Sequence, residues 1–153
     1  NAGYRTTDLI PICMTTRAPL VLMTHERTGF TSLADVLARG RVAGNTLNYG
    51  STGPGTTPHL SMATFARMSG IPLTHISYRG PAELVIALQA GDVHLYADIP
   101  NLVLKESGFR VLATLSPERN AAFPDAPTMR EIGFDLDFSI WLGLFAPLNT
   151  PQP

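Results

Sequence analysis

The 153-residue chain has one cysteine, Cys13, so no internal disulfide can form. No apolar run approaches the roughly 20 residues needed to cross a bilayer. The formal net charge is -1, which gives no basic footprint for nucleic acid. His25, His59, His75 and His94 are scattered without metal-ligand spacing, and no carboxylates are paired for acid–base work. Gly-Lys-Ser/Thr is absent after the glycine-rich stretch, which excludes a Walker loop. Gly53-Pro54-Gly55 lacks the third glycine of a dinucleotide fingerprint and a downstream acid for a ribose. Tyr49-Gly50-Ser51-Thr52-Gly53 approaches a nucleophile elbow, but its first glycine is one residue before the serine, not two. No basic segment followed by an apolar stretch opens the chain, so no signal peptide is visible. The chain opens at Asn-Ala-Gly-Tyr and stops at a linker-like Thr150-Pro151-Gln152-Pro153, and we expect a piece of a longer protein.

What is present is a globular composition, 44% apolar, in short alternating elements. Leu9 to Thr15 reads as a buried strand, with Pro11 pointing to an edge or interdomain crossing and Cys13 as an inert buried thiol. Leu20 to Thr24 is a second apolar run. Ser32 to Arg39 reads as a helix with Ser32 as cap, Asp35 in its first turn and Gly40 after its end. Leu47 to Tyr49 is a strand, and Pro58 to Ser69 the helix after it, with Thr57 as cap. Leu73 to Ser77 is a strand and Pro81 to Ala90 a helix closed by Gly91. Val93 to Ala97 and Arg110 to Leu115 are strands on either side of a short helix, Ile99 to Glu106. Thr128-Met129-Arg130-Glu131 is a capping box for a short helix that Gly133 ends. Leu136 to Ala146 is apolar, with Trp141 read as core.

Strands alternating with helices predict an α/β fold with a mainly parallel sheet. Ligands of such sheets sit beyond the carboxyl ends of the strands. Three polar loops follow strands and should share one rim: Gly50 to Thr57, Tyr78 to Gly80, and Asp98. The first joins glycine backbone N–H groups to the hydroxyls of Ser51, Thr52, Thr56 and Thr57 ahead of a helix start, where dipole and donors favour an anion. A turn-rich β-to-α connection explains the same residues. His59, in the helix's first turn, is a ring donor to a ligand or a partner to a nearby carbonyl. Arg79 suits a carboxylate bidentately, or is a solvated charge. Asp98 accepts from a ligand or caps the next helix. His75 and His94 fall in strands, as packing or surface residues.

Leu47-Asn48-Tyr49-Gly50-Ser51-Thr52-Gly53-Pro54-Gly55-Thr56-Thr57-Pro58-His59-Leu60 resembles the ligand loop of the Bug/TctC family, the extracytoplasmic solute-binding receptors of tripartite tricarboxylate transporters. The likeness continues through Ile76-Ser77-Tyr78-Arg79-Gly80, Leu88-Gln89-Ala90-Gly91-Asp92-Val93, Ala97-Asp98, Arg110 to Thr114, Phe123 to Thr128 and Trp141 to Pro147, in order, over nearly the whole chain. It implies a type II periplasmic binding protein fold of two lobes, of which this chain is the second: residues 1–24 a hinge-crossing segment and first strands, 25–138 the solute-binding lobe, 139–153 a return segment and tail. It implies a non-catalytic, periplasmic protein without cofactor or metal. Its partners would be a small carboxylate, the transporter's membrane components and the missing first lobe. Ser51, Gly53, Gly55 and Thr56 match the loop that receives a carboxylate; Thr52 stands where members often carry Ala. Tyr78, Arg79 and Gly80 match the loop that closes on ligand, and Asp98 an acid at the distal end of the cleft. Asp92-Val93-His94 departs from the common Gln-Val-Asp, a change expected at the strand rim. An effector-sensing domain of a transcription regulator, or an enzyme on the same fold, is the alternative.

Overall fold

The computed structural model describes residues 3–101, 105 and 107–151. Its organising element is a five-stranded sheet in the order β4-β3-β5-β2-β6. The strands are β2 (Val21–His25), β3 (Leu47–Ser51), β4 (Leu73–Ser77), β5 (Leu95–Asp98) and β6 (Phe109–Thr114). β3 pairs parallel with both β4 and β5, whereas β2 runs antiparallel to β5 and β6. Four of the five strands therefore point the same way, as a mainly parallel sheet requires, and β2 alone is reversed.

Three helices flank the sheet: α1 (Leu33–Gly40), α2 (Thr57–Ser69) and α3 (Pro81–Ala90). α1 begins as its sequence dictates. Ser32 accepts from the Asp35 N–H, and the Asp35 carboxylate takes the N–H of Ser32. α2 packs Met62 and Phe65 into a core that includes Leu47, Tyr49 and Leu95. α3 packs Leu84, Ala87 and Leu88 against Val21, Met23 and Tyr96 in a second core. Because neighbouring strand residues face opposite ways, these are the two sides of one sheet. α2 and α3 end at Gly70 and Gly91, both left-handed, where a side chain would be strained.

The remaining strands, β1 (Leu9–Pro19) and β7 (Ser139–Pro147), pair only with each other, as an antiparallel ribbon. This corrects three expectations. The strand from Leu9 is longer than expected and largely exposed, Cys13 is exposed, and Trp141 is 56% exposed. The apolar pattern is real, but while Ile140 packs against the first core, most of the ribbon's large apolar side chains stay exposed, among them Ile12, Met14, Leu142 and Leu144. Two further differences are local. The cap of α2 is Thr56 rather than Thr57, and its hydroxyl turns back to Gly53 instead of bonding the helix. The Thr128–Glu131 box forms both its bonds, yet opens only a single 3-10 turn, Arg130–Ile132. Of the helix expected over Ile99 to Glu106, residues 102–104 and 106 lie outside the described residues, and residues 99–101 are not helical.

Candidate functional site

The strand register places the three polar loops side by side. Ser51 pairs with Ser77 and Gly50 with Tyr96. One or two residues further on, Tyr78, Thr52 and Asp98 lie at one level on the carboxyl rim of β4, β3 and β5. The shared rim expected from the order of elements is therefore present.

Within the Gly50–Thr57 loop, most donors are already engaged. The Gly53 N–H donates to Ser51 Oγ at 3.1 Å, and Ser51 Oγ donates to the Gly53 carbonyl at 3.1 Å. Ser51 is fully buried, and its Oγ also lies 2.7 Å from His75 Nε2. Thr56 gives both its N–H, at 3.3 Å, and its hydroxyl, at 2.7 Å, to the Gly53 carbonyl. The Gly55 N–H donates to His59 Nδ1 at 3.1 Å. Among the described residues no internal acceptor is found for the N–H groups of Thr52, Thr57 and His59, nor a partner for the hydroxyls of Thr52 and Thr57. Thr57 and His59 lie in the first turn of α2, where helical N–H groups have no intrahelical acceptor. The loop is thus a built scaffold (Ser51, Gly53, Gly55, Thr56) that leaves a second set of donors (Thr52, Thr57, His59) uncovered at a helix N-terminus.

The neighbouring loops are held in the same manner. The Tyr78 N–H donates to the Ser51 carbonyl at 2.9 Å, tying the β4 loop to the β3 loop. Burial, and then the charge of Asp92, push the Tyr78 phenol upward, so it stays a neutral donor. The Arg79 N–H is taken by Glu83 at 3.3 Å, while Arg79 itself is exposed and in no ion pair among the described residues. Gly80 is the cap of α3, and Pro81 fills that helix's first position. Asp98 takes the hydroxyl of buried Tyr96 on one oxygen and the Ile99 N–H, at 2.8 Å, on the other.

His75 is the participant that the sequence did not disclose. It faces Tyr49 across the β3–β4 pair, ring centroids 5.0 Å apart, and His59 at 4.4 Å. Only the register reveals this, since β3 and β4 could slide past one another without changing either strand's local pattern. His94 plays a different part, in that its Nδ1 accepts the Asn48 N–H at 3.0 Å, at the start of β3. No cluster of three or more metal-ligating side chains occurs among the described residues.

The family description "Tripartite tricarboxylate transporter family receptor" matches residues 1–153. A UPF0065 protein of Bordetella pertussis is 33% identical over 99% of this chain and 48% of its own length. BugT of the same organism is 31% identical over 94% of this chain and 45% of its own. Among solved structures, R. palustris Rpa4515 with adipate superposes with a TM-score of 0.84 at 30% identity, covering 99% of this chain and 52% of that one. MatC of Rhodopseudomonas palustris with bound malate gives 0.80 at 25% identity, covering 97% and 52%. The chain spans about half the length of the relatives it matches. Its fold is that of a lobe of the TctC and Bug solute-binding proteins. The chain belongs to the tripartite tricarboxylate transporter receptor family.

Proposed function

We propose that this chain is the half of an extracytoplasmic solute receptor that receives one carboxylate of a small organic acid, without catalysis, for a tripartite transporter. The observation that carries the reading is the set of uncovered donors at the rim: the N–H groups of Thr52, Thr57 and His59 over the first turn of α2, with the exposed Arg79 on the adjacent loop. Uncovered N–H groups and the helix dipole favour negative charge. The guanidinium adds a charge-assisted partner. Ser51, Gly53, Gly55 and Thr56 shape the loop, and Tyr78, Gly80 and Asp98 frame it on either side. Similar structures hold adipate and malate, both carboxylates.

Three further features support a half-receptor. β2 runs toward the sheet from the rim that carries the site, since Val21, its first residue, pairs with Asp98. The β1–β7 ribbon therefore leaves the sheet beside the ligand loops, and its exposed Ile12, Met14, Trp141 and Leu144 await cover. A missing lobe attached through this ribbon would face the loops, and ligand would close the two together by a hinge. The Ser51–His75 distance resembles that of a nucleophile and its base, but a fully buried hydroxyl engaged by Gly53 cannot reach a substrate.

Titrating adipate into the 15N-labelled chain tests the reading. The Thr52, Thr57 and His59 amide signals should move saturably with weak affinity, about millimolar, because one side of the ligand is uncontacted. Indifferent rim amides refute carboxylate binding. Micromolar binding by calorimetry to the chain alone would refute the half-site.

A further inference from the structure

We propose that His59 and His75 are positioning residues that hold the two ends of the Gly50–Thr57 loop, His75 through Ser51 and His59 through Gly55. The inference rests on the carboxylate reading only for its consequence in binding; the positioning itself can be read without ligand.

The positioning roles imply which ring nitrogen carries each proton. Ser51 has one hydroxyl proton and two lone pairs. The proton goes to the Gly53 carbonyl, and one lone pair receives the Gly53 N–H. All three contacts of Ser51 Oγ are made together when His75 Nε2, at 2.7 Å, donates to the second lone pair. That arrangement makes His75 the Nε2–H tautomer. Burial, and then the neighbouring His59, lower its affinity for a second proton. His59 must be the same tautomer for a different reason: its Nδ1 accepts the Gly55 N–H and so carries no hydrogen.

The two joints consequently respond differently to acid. A proton added to His75 goes to Nδ1 and leaves the Nε2–H···Ser51 bond standing. A proton added to His59 also goes to Nδ1, where it turns the acceptor of Gly55 into a second donor and breaks the bond. Gly55 sits at φ 81°, a left-handed conformation suited to glycine, so a released Gly55 can turn its N–H without side-chain cost. The groups against these rings are Tyr49 from β3, stacked on His75 at 5.0 Å and on His59 at 6.4 Å, and the rings themselves. No Asp, Glu, Lys or Arg among the described residues is hydrogen-bonded or ion-paired to either ring. The loop thus has a single acid-sensitive joint, at its α2 end.

Nitrogen-15 NMR of the ligand-free chain tests this. At neutral pH both rings should show Nε2–H; an Nδ1–H form of either overturns the inference. Lowering the pH from about 8 to about 5 should speed Gly55 amide exchange, normalised for intrinsic rate, about tenfold while Gly53 holds. A common change, or none, overturns it. Asparagine places its Oδ1 near the place of Nδ1, and glutamine its amide near that of Nε2. His59→Asn should therefore keep Gly55 protected and abolish the pH dependence, and His75→Gln should keep both Gly53 protection and the Gly55 pH dependence. His59→Phe and His75→Phe, which retain the stack, should deprotect Gly55 and Gly53 respectively. Phe variants that protect both glycines as the parent does overturn the roles. In adipate titrations both Phe variants should bind about fivefold or more weakly than their amide counterparts, and equal affinities overturn positioning of the binding loop. Should adipate move no rim amide of the parent chain while tautomers and exchange come out as expected, the carboxylate reading fails and the positioning stands.

Discussion

Replacing Gly50 by Ala sets a methyl group against the second core. A Cβ at this position would lie 2.9 Å from Leu84 Cδ1, 3.0 Å from its Cγ and 3.4 Å from its Cδ2. Carbon atoms prefer separations of about 3.5–4.0 Å, so the two closest contacts are short by about half an ångström or more. Leu84 is fully buried in the cluster with Val21, Met23 and Tyr96, so its end cannot swing to solvent. Overpacking of this kind costs about 1–3 kcal/mol. For a chain of this size each kcal/mol lowers the melting temperature by about 2–4 °C, so a drop of about 2–12 °C is expected. Leu84→Ala alone should cost about 2–5 kcal/mol, because it leaves a cavity. The double variant should be more stable than the sum of the two losses predicts, since the new methyl occupies part of that cavity. Urea unfolding of all four proteins gives the coupling energy. Additive losses, with no coupling between positions 50 and 84, would refute the close approach of β3 and α3. The candidate site is linked to this contact, because Gly50 is the last residue but one of β3 before the polar loop that ends at Thr57.

On the proposed reading, Arg79→Ala should weaken adipate binding about tenfold with little change in melting temperature, as its side chain is exposed and in no ion pair among the described residues; equal binding at low salt removes Arg79 from the site. Asp35 is held down to about 2, first by the Thr31 hydroxyl and then by the Thr31 N–H. A depressed acid stabilises the fold above its unfolded value and loses that contribution as pH falls through the folded one. The stability difference between the parent and Asp35→Asn should therefore be constant above about pH 5 and shrink between about pH 4 and about pH 2; a difference unchanged over that window refutes the capping role. Cys13 should react with a water-soluble thiol reagent in the folded chain at a rate close to that of the urea-unfolded chain, and protection of about tenfold or more would contradict its exposure on β1.

Elements whose order is written locally were legible in the residues. Leu73–Ser77 and Pro81–Ala90 stand where β-branched content, Pro81 and Gly91 put them. The Ser32–Asp35 box was visible as a spacing and forms as bonds. What was not legible depends on partners far away in the chain. Trp141 and Cys13 sit in apolar strands, and apolarity alone reads as core; only the pairing of β1 with β7 and nothing else shows them exposed. His75 has a neighbour pattern no different from a packing residue. Its meaning comes from standing opposite Tyr49, below Ser51 and beside His59. Thr57 was a reasonable cap by residue type, but Thr56 occupies the extended cap position, and its hydroxyl is drawn to Gly53 by the tight loop.

The reversed strand β2 connects these observations. A sheet made only of β-α-β crossovers would have every strand parallel and its first strand entering from the rim opposite the site. Here Leu20 donates its N–H to the Phe138 carbonyl and gives its own carbonyl to Leu115, so the chain enters and leaves the sheet at one place, between Pro19 and Ser139. Val21 then pairs with Asp98 and Thr114 at the carboxyl rim. β2 must therefore run backwards, and the ribbon must emerge beside the Gly50–Thr57 and Asp98 loops. The same reversal accounts for the exposed apolar ribbon and for donors that face outward without a wall opposite them. Both are what a cleft-forming lobe needs at one edge. On the half-receptor reading proposed above, the ribbon carries the opposing wall, and covering its faces and completing the carboxylate site are one event. Fluorescence of Trp141, the chain's single tryptophan, in the full-length receptor should then shift to shorter wavelength relative to this chain alone. A Trp141 emission equally solvent-exposed in both would place the wall elsewhere.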